Sequence, residues 1–468
     1  MTIKKDLFKA IRLSTASKYL VYSIQLVTIS IYSRIFTPEN FGVFAMLQVF
    51  LMFFILLADI GIGPAIINLK KVTKDKNNAI FTVTIIISIA VILLYIISLP
   101  LIVSFYSNEN LYNYTIYIVI VIFFSTISIV SKANINKNKK FFVLGSVDAI
   151  SEIITLIIVI IFFYFKLLDG VSLLFLRFSI LSILKWLGYT IMSYKILGYT
   201  VKITSNLKES FDIFKFSINQ FAFNLTNYFS RNLDTILVGK YFSSESLGIY
   251  DRTYALMRYP LQLISFAVTP AIQPVMVNYQ SDKNKLNYIR KVLFRNASKI
   301  GVVIGILMYY FSNYYVTILL GSNWNSVIPI ITILSISIPI QIIQSFYGAI
   351  LQGMGLSKEL LIYGIYSTFI NVTFIVVGIM LGDLKALSWM IICGFYINYV
   401  ISQYYMHASI FNEGVKSFIY ENRYVVIFLF IVLMSKMGVV YETLCFKSYK
   451  YHFLFNFLFF CFFCLYWN

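Results

Sequence analysis

The chain has 468 residues; 59% are apolar or aromatic, only 12% are charged, and the formal net charge is +19. Soluble domains run nearer 45–50% apolar and about 25% charged, so the composition excludes a soluble enzyme, a nucleic-acid-binding domain and a disordered chain. A bilayer-spanning helix uses roughly 20 apolar residues, and the supply here lines about 14 such spans.

The apolar runs fall at 15–36, 41–67, 79–103, 114–131, 141–164, 172–194, 213–238, 247–278, 297–318, 327–352, 359–381, 387–410, 424–441 and 451–467, spans 1–14. The start, Met1-Thr-Ile-Lys-Lys, is basic, and span 1 carries Lys18, Gln25 and Arg34 without a small-residue cleavage site, which predicts an uncleaved first span. With the N-terminus inside, the cytoplasmic segments 1–18, 68–78, 132–140, 195–215, 279–299, 353–358 and 411–423 hold 26 Lys and Arg, against six on the opposite side. That is the positive-inside bias, and it predicts an even number of spans with both termini cytoplasmic. No loop is long enough to fold alone, and no Walker motif is present. The expectation is an all-α polytopic membrane protein whose work is done within the bilayer.

At an offset of 206 the chain matches itself without gaps. Residues 33–44 lie over 239–250, pairing Arg34 with Lys240, Phe36 with Phe242, Glu39 with Glu245, Gly42 with Gly248 and Phe44 with Tyr250, and Pro64-Ala-Ile lies over Pro270-Ala-Ile. An even-numbered repeat keeps its orientation, as in transporters whose parallel repeats are related by an axis along the membrane normal. The expected organisation is a six-helix lobe over 1–206, a second over 207–412, and two further helices over 413–468.

Charges inside spans are costly and mark either function or structure. In span 7, Gln220, Asn224, Asn227 and Arg231 recur at helical spacing as one polar stripe, which lines a wet cavity or bonds a neighbouring helix. Asp234, three residues from Arg231, is placed to neutralise it. Span 8 carries Asp251, Arg252 and, about two turns deeper, Arg258, which has no acid within four positions and so calls for an anion elsewhere, either a phosphate-bearing ligand or a carboxylate across the bundle. Span 5 offers Asp148 and Glu152 on one face and span 6 offers Arg177 and Lys185, with Lys185 expected nearer the depth of Glu152. These groups either lock the spans as ion pairs or form a coupling site for H+ or Na+. Asp59, in Ala58-Asp-Ile-Gly-Ile-Gly-Pro64, sits at a kink or close helix contact near the inner end of span 2. Lys436 in span 13 is expected to snorkel to an interface. His407 and His452 lie far apart near membrane edges, and Cys461-Phe-Phe-Cys464 spells CxxC only inside an apolar run. No catalytic, metal or cofactor set assembles from these residues.

Three stretches resemble the oligosaccharide flippases (Wzx-type) of the multidrug/oligosaccharidyl-lipid/polysaccharide exporter superfamily. They are residues 232–254, with Asp234, Val238-Gly239, Leu247-Gly248 and Tyr250; residues 33–44; and Ala58-Asp-Ile-Gly61. The resemblance implies a V-shaped pair of six-helix lobes around a cationic cavity, in a bacterial plasma membrane. It also implies flipping of undecaprenyl-diphosphate-linked sugar repeat units to the outer leaflet for O-antigen or capsule assembly, with a polymerase and a chain-length regulator as partners. A flippase for lipid II, a drug or cation antiporter of the multidrug-extrusion type, and a polysaccharide polymerase are the alternatives. The antiporter calls for an acidic cavity, and the polymerase for a large outer loop that this chain lacks.

Overall fold

A computed structural model describes residues 2–69, 72–207, 225, 228 and 231–443. Among the described residues every regular element is helical. Among these residues nine helices are long and apolar enough to cross a membrane, ten if one bent pair is taken as a single span, so the chain is a multi-pass membrane protein. Span 14 and most of span 7 lie outside the described residues, as do Gln220, Asn224, Asn227, His452 and the CxxC.

Two compact units divide the chain: Met1–Asp251 with Leu319–Asn323, and Arg252–Ile318 with Trp324–Asn468. In the first, α1 covers Thr2–Ile35, α2 Pro38–Asp59, α3 Ile62–Asn68, α4 Lys74–Tyr106, α5 Thr115–Lys137, α6 Phe141–Tyr164 and α7 Gly170–Leu197; residues 231–241 are helical and are labelled α8. The ends follow local chemistry. Thr37 and Asn40 form a reciprocal capping box ahead of Pro38, and Thr73 and Asp169 cap α4 and α7 through their side chains. Span 2 breaks at Ile60-Gly61, both left-handed, and α3 restarts the helix beyond them. Lys137 at the end of α5 then donates to the carbonyls of Ile66, Ile67 and Leu69, which satisfies the C-terminal end of α3.

Between helices in lipid there is little hydrophobic drive, so close backbone approach through small residues matters more. Gly145 admits Ser17 of α1, and Gly188 admits Val147 of α6. The segment after α7 is held by side chains rather than by packing alone: Asn78 accepts from Lys202 N at 2.8 Å, Thr82 accepts from Thr204 N at 2.9 Å, and Asn77 donates to the Tyr199 hydroxyl at 2.7 Å.

The repeat-related glycines make a reciprocal contact. A Cβ on Gly42 would stand 1.6 Å from the carbonyl oxygen of Ser244, and one on Gly248 would stand 1.8 Å from that of Pro38. Pro38 and Ser244 are themselves 206 apart, each four residues before its own glycine.

The second unit continues α9, Ser244–Asn278, and adds α10 Lys283–Tyr310, α11 Ser312–Leu319, α12 Val327–Ser335, α13 Ile338–Gly353, α14 Ser357–Met380, α15 Leu384–Tyr405, a π turn at Met406–Ile410, and α16 Val415–Thr443. Two differences from the sequence expectation stand out. The segment 279–299, taken as a loop, is largely the first part of α10, because its charged residues are good helix formers and one face is buried. Span 10 is broken, with α12 and α13 meeting at a 60° bend ahead of Pro339. Pro339 has no amide hydrogen and cannot continue the ladder. The buried Tyr396 hydroxyl on α15 donates to the Ile336 carbonyl in the break at 2.8 Å, and buried irregular backbone at this depth requires such a donor. Tyr396→Phe is therefore expected to cost about 1 kcal/mol, read as a lower thermal midpoint of the purified protein; an unchanged midpoint would assign the carbonyl another donor.

Candidate functional site

In the first unit the in-span charges of α6 and α7 meet as two pairs. Lys185 Nζ lies 3.0 Å from Asp148 Oδ1, and Arg177 Nη2 lies 2.5 Å from Glu152 Oε1. The expectation placed Lys185 at the depth of Glu152. The antiparallel register pairs the earlier acid with the later base, so Lys185 meets Asp148 and Arg177 takes Glu152. Each pair is extended by an aromatic group: the Tyr189 hydroxyl donates to Asp148 at 2.6 Å, and the Arg177 guanidinium lies 4.7 Å from the Tyr32 ring centroid. Glu152 is 2% exposed, and a buried carboxylate calls for a charge-assisted donor, which Arg177 supplies. Asp59, half-buried, accepts from Gly63 N at 3.4 Å across the break between α2 and α3.

Arg231 on α8 is exposed, and the Asp234 expected to neutralise it is engaged elsewhere. Asp234 Oδ2 accepts from the Tyr250 hydroxyl at 2.8 Å, and its Oδ1 accepts from Thr235 N at 2.7 Å. In the second unit Arg252 is buried and Arg258, six residues further along α9, is exposed. Among the described residues no ion pair forms on Arg231 or Arg258. The structure therefore pairs Asp148, Glu152, Arg177 and Lys185 within one bundle and leaves Arg231 and Arg258 as exposed guanidinium groups without an ion pair among the described residues.

The largest charge cluster among the described residues was not anticipated. Arg290 on α10 is wholly buried, donating to Asn287 Oδ1, to Glu413 Oε2 at 3.0 Å and to Glu421 Oε2 at 2.9 Å. Lys291 also pairs with Glu413. His407, expected to stand alone, has Nδ1 2.8 Å from the Gln403 carbonyl oxygen and Nε2 2.9 Å from Glu421 Oε2. Ligand atoms of His407, Glu413 and Glu421 lie within 4.8 Å of one another, a metal-type grouping absent from the sequence reading. The guanidinium already occupies both carboxylates, so the cluster is an ionic hub joining α10, the π turn and α16. Burial alone would raise the Glu421 pKa, but hydrogen bonding from His407 and the Arg290 charge outweigh it and hold it down to about 2. Glu413 is likewise lowered, its burial outweighed by bonds from Lys291 and Asn287. The available signal was the four-residue spacing of Glu413, Ser417 and Glu421, although Glu413 itself lies two residues ahead of α16.

A family model described as polysaccharide biosynthesis protein matches residues 31–329. The chain is 22% identical over 420 residues to the teichuronic acid biosynthesis protein TuaB of Bacillus subtilis (strain 168), covering 86% of this chain and 83% of that one. It is 18% identical to the lipopolysaccharide biosynthesis protein WzxC of Escherichia coli (strain K12), covering 90% and 84%. Among solved structures, the lipid II flippase MurJ in an inward closed conformation superposes with a TM-score of 0.73 at 15% identity, covering 95% of each chain. An inward-facing multidrug resistance MATE family transporter of the MOP superfamily gives 0.59 at 14% identity, covering 82% of this chain and 92% of that one. The fold is thus the one shared by flippases and transporters of that superfamily.

Proposed function

The chain belongs to the polysaccharide biosynthesis protein family, and from that premise we propose that it flips undecaprenyl-diphosphate-linked oligosaccharide repeat units to the outer leaflet of a bacterial plasma membrane for surface-polysaccharide assembly. The working parts are two six-helix lobes related by the 206-residue repeat, alternating access through a cationic cavity. The observation that carries the reading is that each unit presents an exposed guanidinium group, Arg231 in the first and Arg258 in the second, without a carboxylate partner among the described residues. A diphosphate is the ligand such forks fit best, with parallel N–H donors matched to phosphate oxygens. A cation or drug antiporter calls for the reverse polarity. Asp148, Glu152, Arg177 and Lys185 act in this reading as an internal lock of the first bundle.

Deleting the protein in its host and following surface polymer and lipid-linked intermediates together tests the assignment. Loss of polymer with intact diphospholipid-linked units held on the cytoplasmic side is the expected result, and the trapped unit names the sugar. Accumulation of a peptidoglycan precursor instead would make lipid II the cargo; units that reach the outer leaflet unpolymerised would make the protein a polymerase. Arg258→Ala is expected to reduce export with undiminished protein in the membrane. Loss of one charge-assisted hydrogen bond to phosphate costs about 1.5–3 kcal/mol, roughly a 10- to 150-fold loss of apparent affinity. Normal surface polysaccharide in that variant would remove Arg258 from the phosphate site.

A further inference from the structure

The ionic hub consumes both acids, Glu413 and Glu421, on Arg290, Lys291 and His407. On the same pair of packed helices, α10 and α16, a second tier of basic residues is left without them. Arg295 and Lys299 follow Lys291 at four-residue steps on one face of α10, and both are exposed. Arg423 on α16 lies over the ring of Tyr420 at 4.1 Å and donates to the Tyr424 hydroxyl at 3.2 Å, while Lys299 Nζ lies 5.4 Å from the Tyr424 ring centroid. Lys299 and Arg423 thus converge on Tyr424 from two helices, and among the described residues no carboxylate pairs with Arg295, Lys299 or Arg423.

Their level in the sequence is as informative as their charge. Uninterrupted apolar sequence begins at Ile300 on α10 and at Val425 on α16, immediately after Lys299 and Tyr424. At 1.5 Å of rise per residue, Lys299 and Arg423 sit within one turn of the start of the hydrocarbon-facing stretch, and Arg295 lies one turn further out. That is the headgroup level, where tyrosines also concentrate.

We propose that Arg295, Lys299 and Arg423, with Tyr420 and Tyr424, form a binding site for the phosphate of an anionic phospholipid headgroup at the exposed seam of α10 and α16. The guanidinium and ammonium groups and the tyrosine hydroxyl supply donors to phosphate oxygens. The acyl chains lie along the apolar continuation of the two helices. The hub beneath fixes the spacing of the seam, so the site is preorganised rather than assembled by the lipid. This site is separate from the cargo site proposed above and does not depend on it.

The test is native mass spectrometry of the full-length protein in detergent, with phosphatidylglycerol or phosphatidylcholine added. The wild type is expected to retain phosphatidylglycerol selectively. With about 1 kcal/mol per basic residue near an anionic lipid surface, each cation removed lowers retention about fivefold, and Lys299→Gln with Arg423→Gln lowers it about 25-fold. Lys358→Gln with Lys385→Gln removes the same charge from two exposed lysines elsewhere and is expected to retain lipid as the wild type does. A thermal midpoint measured on the same samples separates lost binding from lost folding. Equal retention of phosphatidylglycerol by the Lys299/Arg423 variant, or equal retention of phosphatidylcholine by the wild type, would overturn the assignment. Displacement of the lipid by excess inorganic phosphate would also overturn it, leaving a bare anion site.

Discussion

Arg290→Gln is expected to lower the stability of the protein by about 3–5 kcal/mol, the usual cost of removing one partner from a buried ionic pair. Arg290 is wholly buried and bonds Glu413, Glu421 and Asn287 at once. Its removal leaves Glu421, 9% exposed, with His407 and the more distant Lys291 as its remaining basic neighbours. Lys291→Gln is expected to cost far less, because Lys291 is half-buried and its place is open to water. The combination Arg290→Met, Glu413→Gln and Glu421→Gln removes charge of both signs together and is expected to recover most of the loss. Thermal unfolding of the purified variants checks all three. If Arg290→Gln unfolds with the wild type, the hub is not what holds α16 against α10.

The pH dependence follows from the direction of the shifts. Both glutamates have folded pKa values below the ordinary carboxylate value of about 4.3, with Glu421 at about 2. A depressed acid contributes stability that is complete above its unfolded value and is lost as pH falls through its folded value. The stability difference between wild type and Arg290→Gln is therefore expected to stay level from neutral pH down to about 5 and to narrow below about 4 as the carboxylates take up protons. A difference that narrows already near neutrality would mean that these two carboxylates do not govern the hub.

The spans that the described residues show were legible because lipid tolerates only long apolar helices, a demand written directly into composition. Pairings across the chain were harder. Arg290 finds Glu413 and Glu421 more than 120 residues away, and nothing in a basic run at 283–299 distinguishes a buried arginine from a charge that sets topology. The acids on α6 and bases on α7 were visible as partners, yet which base met which acid depended on antiparallel register, which hydropathy does not carry. The break in span 10 had a signal in Pro339, but its tolerance depends on Tyr396, 60 residues beyond the Ile336 carbonyl it satisfies. The polar stripe of span 7 is represented in the described residues by Arg231 alone.

Gly42→Ala and Gly248→Ala are expected each to destabilise the protein, although each adds only a methyl group. The added Cβ on Gly42 falls 1.6 Å from the Ser244 carbonyl oxygen, and that on Gly248 falls 1.8 Å from the Pro38 carbonyl oxygen. Both obstacles are backbone, so no change of rotamer relieves them, and α2 must separate from the first turns of α9. Overpacking costs typically 1–3 kcal/mol even where side chains can adjust, and these positions belong at or above the upper end. Gly364→Ala is the comparison. Nothing lies within 4 Å of its Cβ position on α14, and alanine in an open helix interior is favoured over glycine by about 0.5–1 kcal/mol. The reciprocal geometry adds a sharper requirement. Because both glycines serve one helix crossing, moving the helices apart for one relieves the other, and the double variant is expected to lose clearly less than the two single losses combined. Thermal midpoints of the four proteins measure this. Strict additivity would mean that the crossing is two independent contacts, and a Gly42→Ala midpoint equal to wild type would mean that the helices do not meet there.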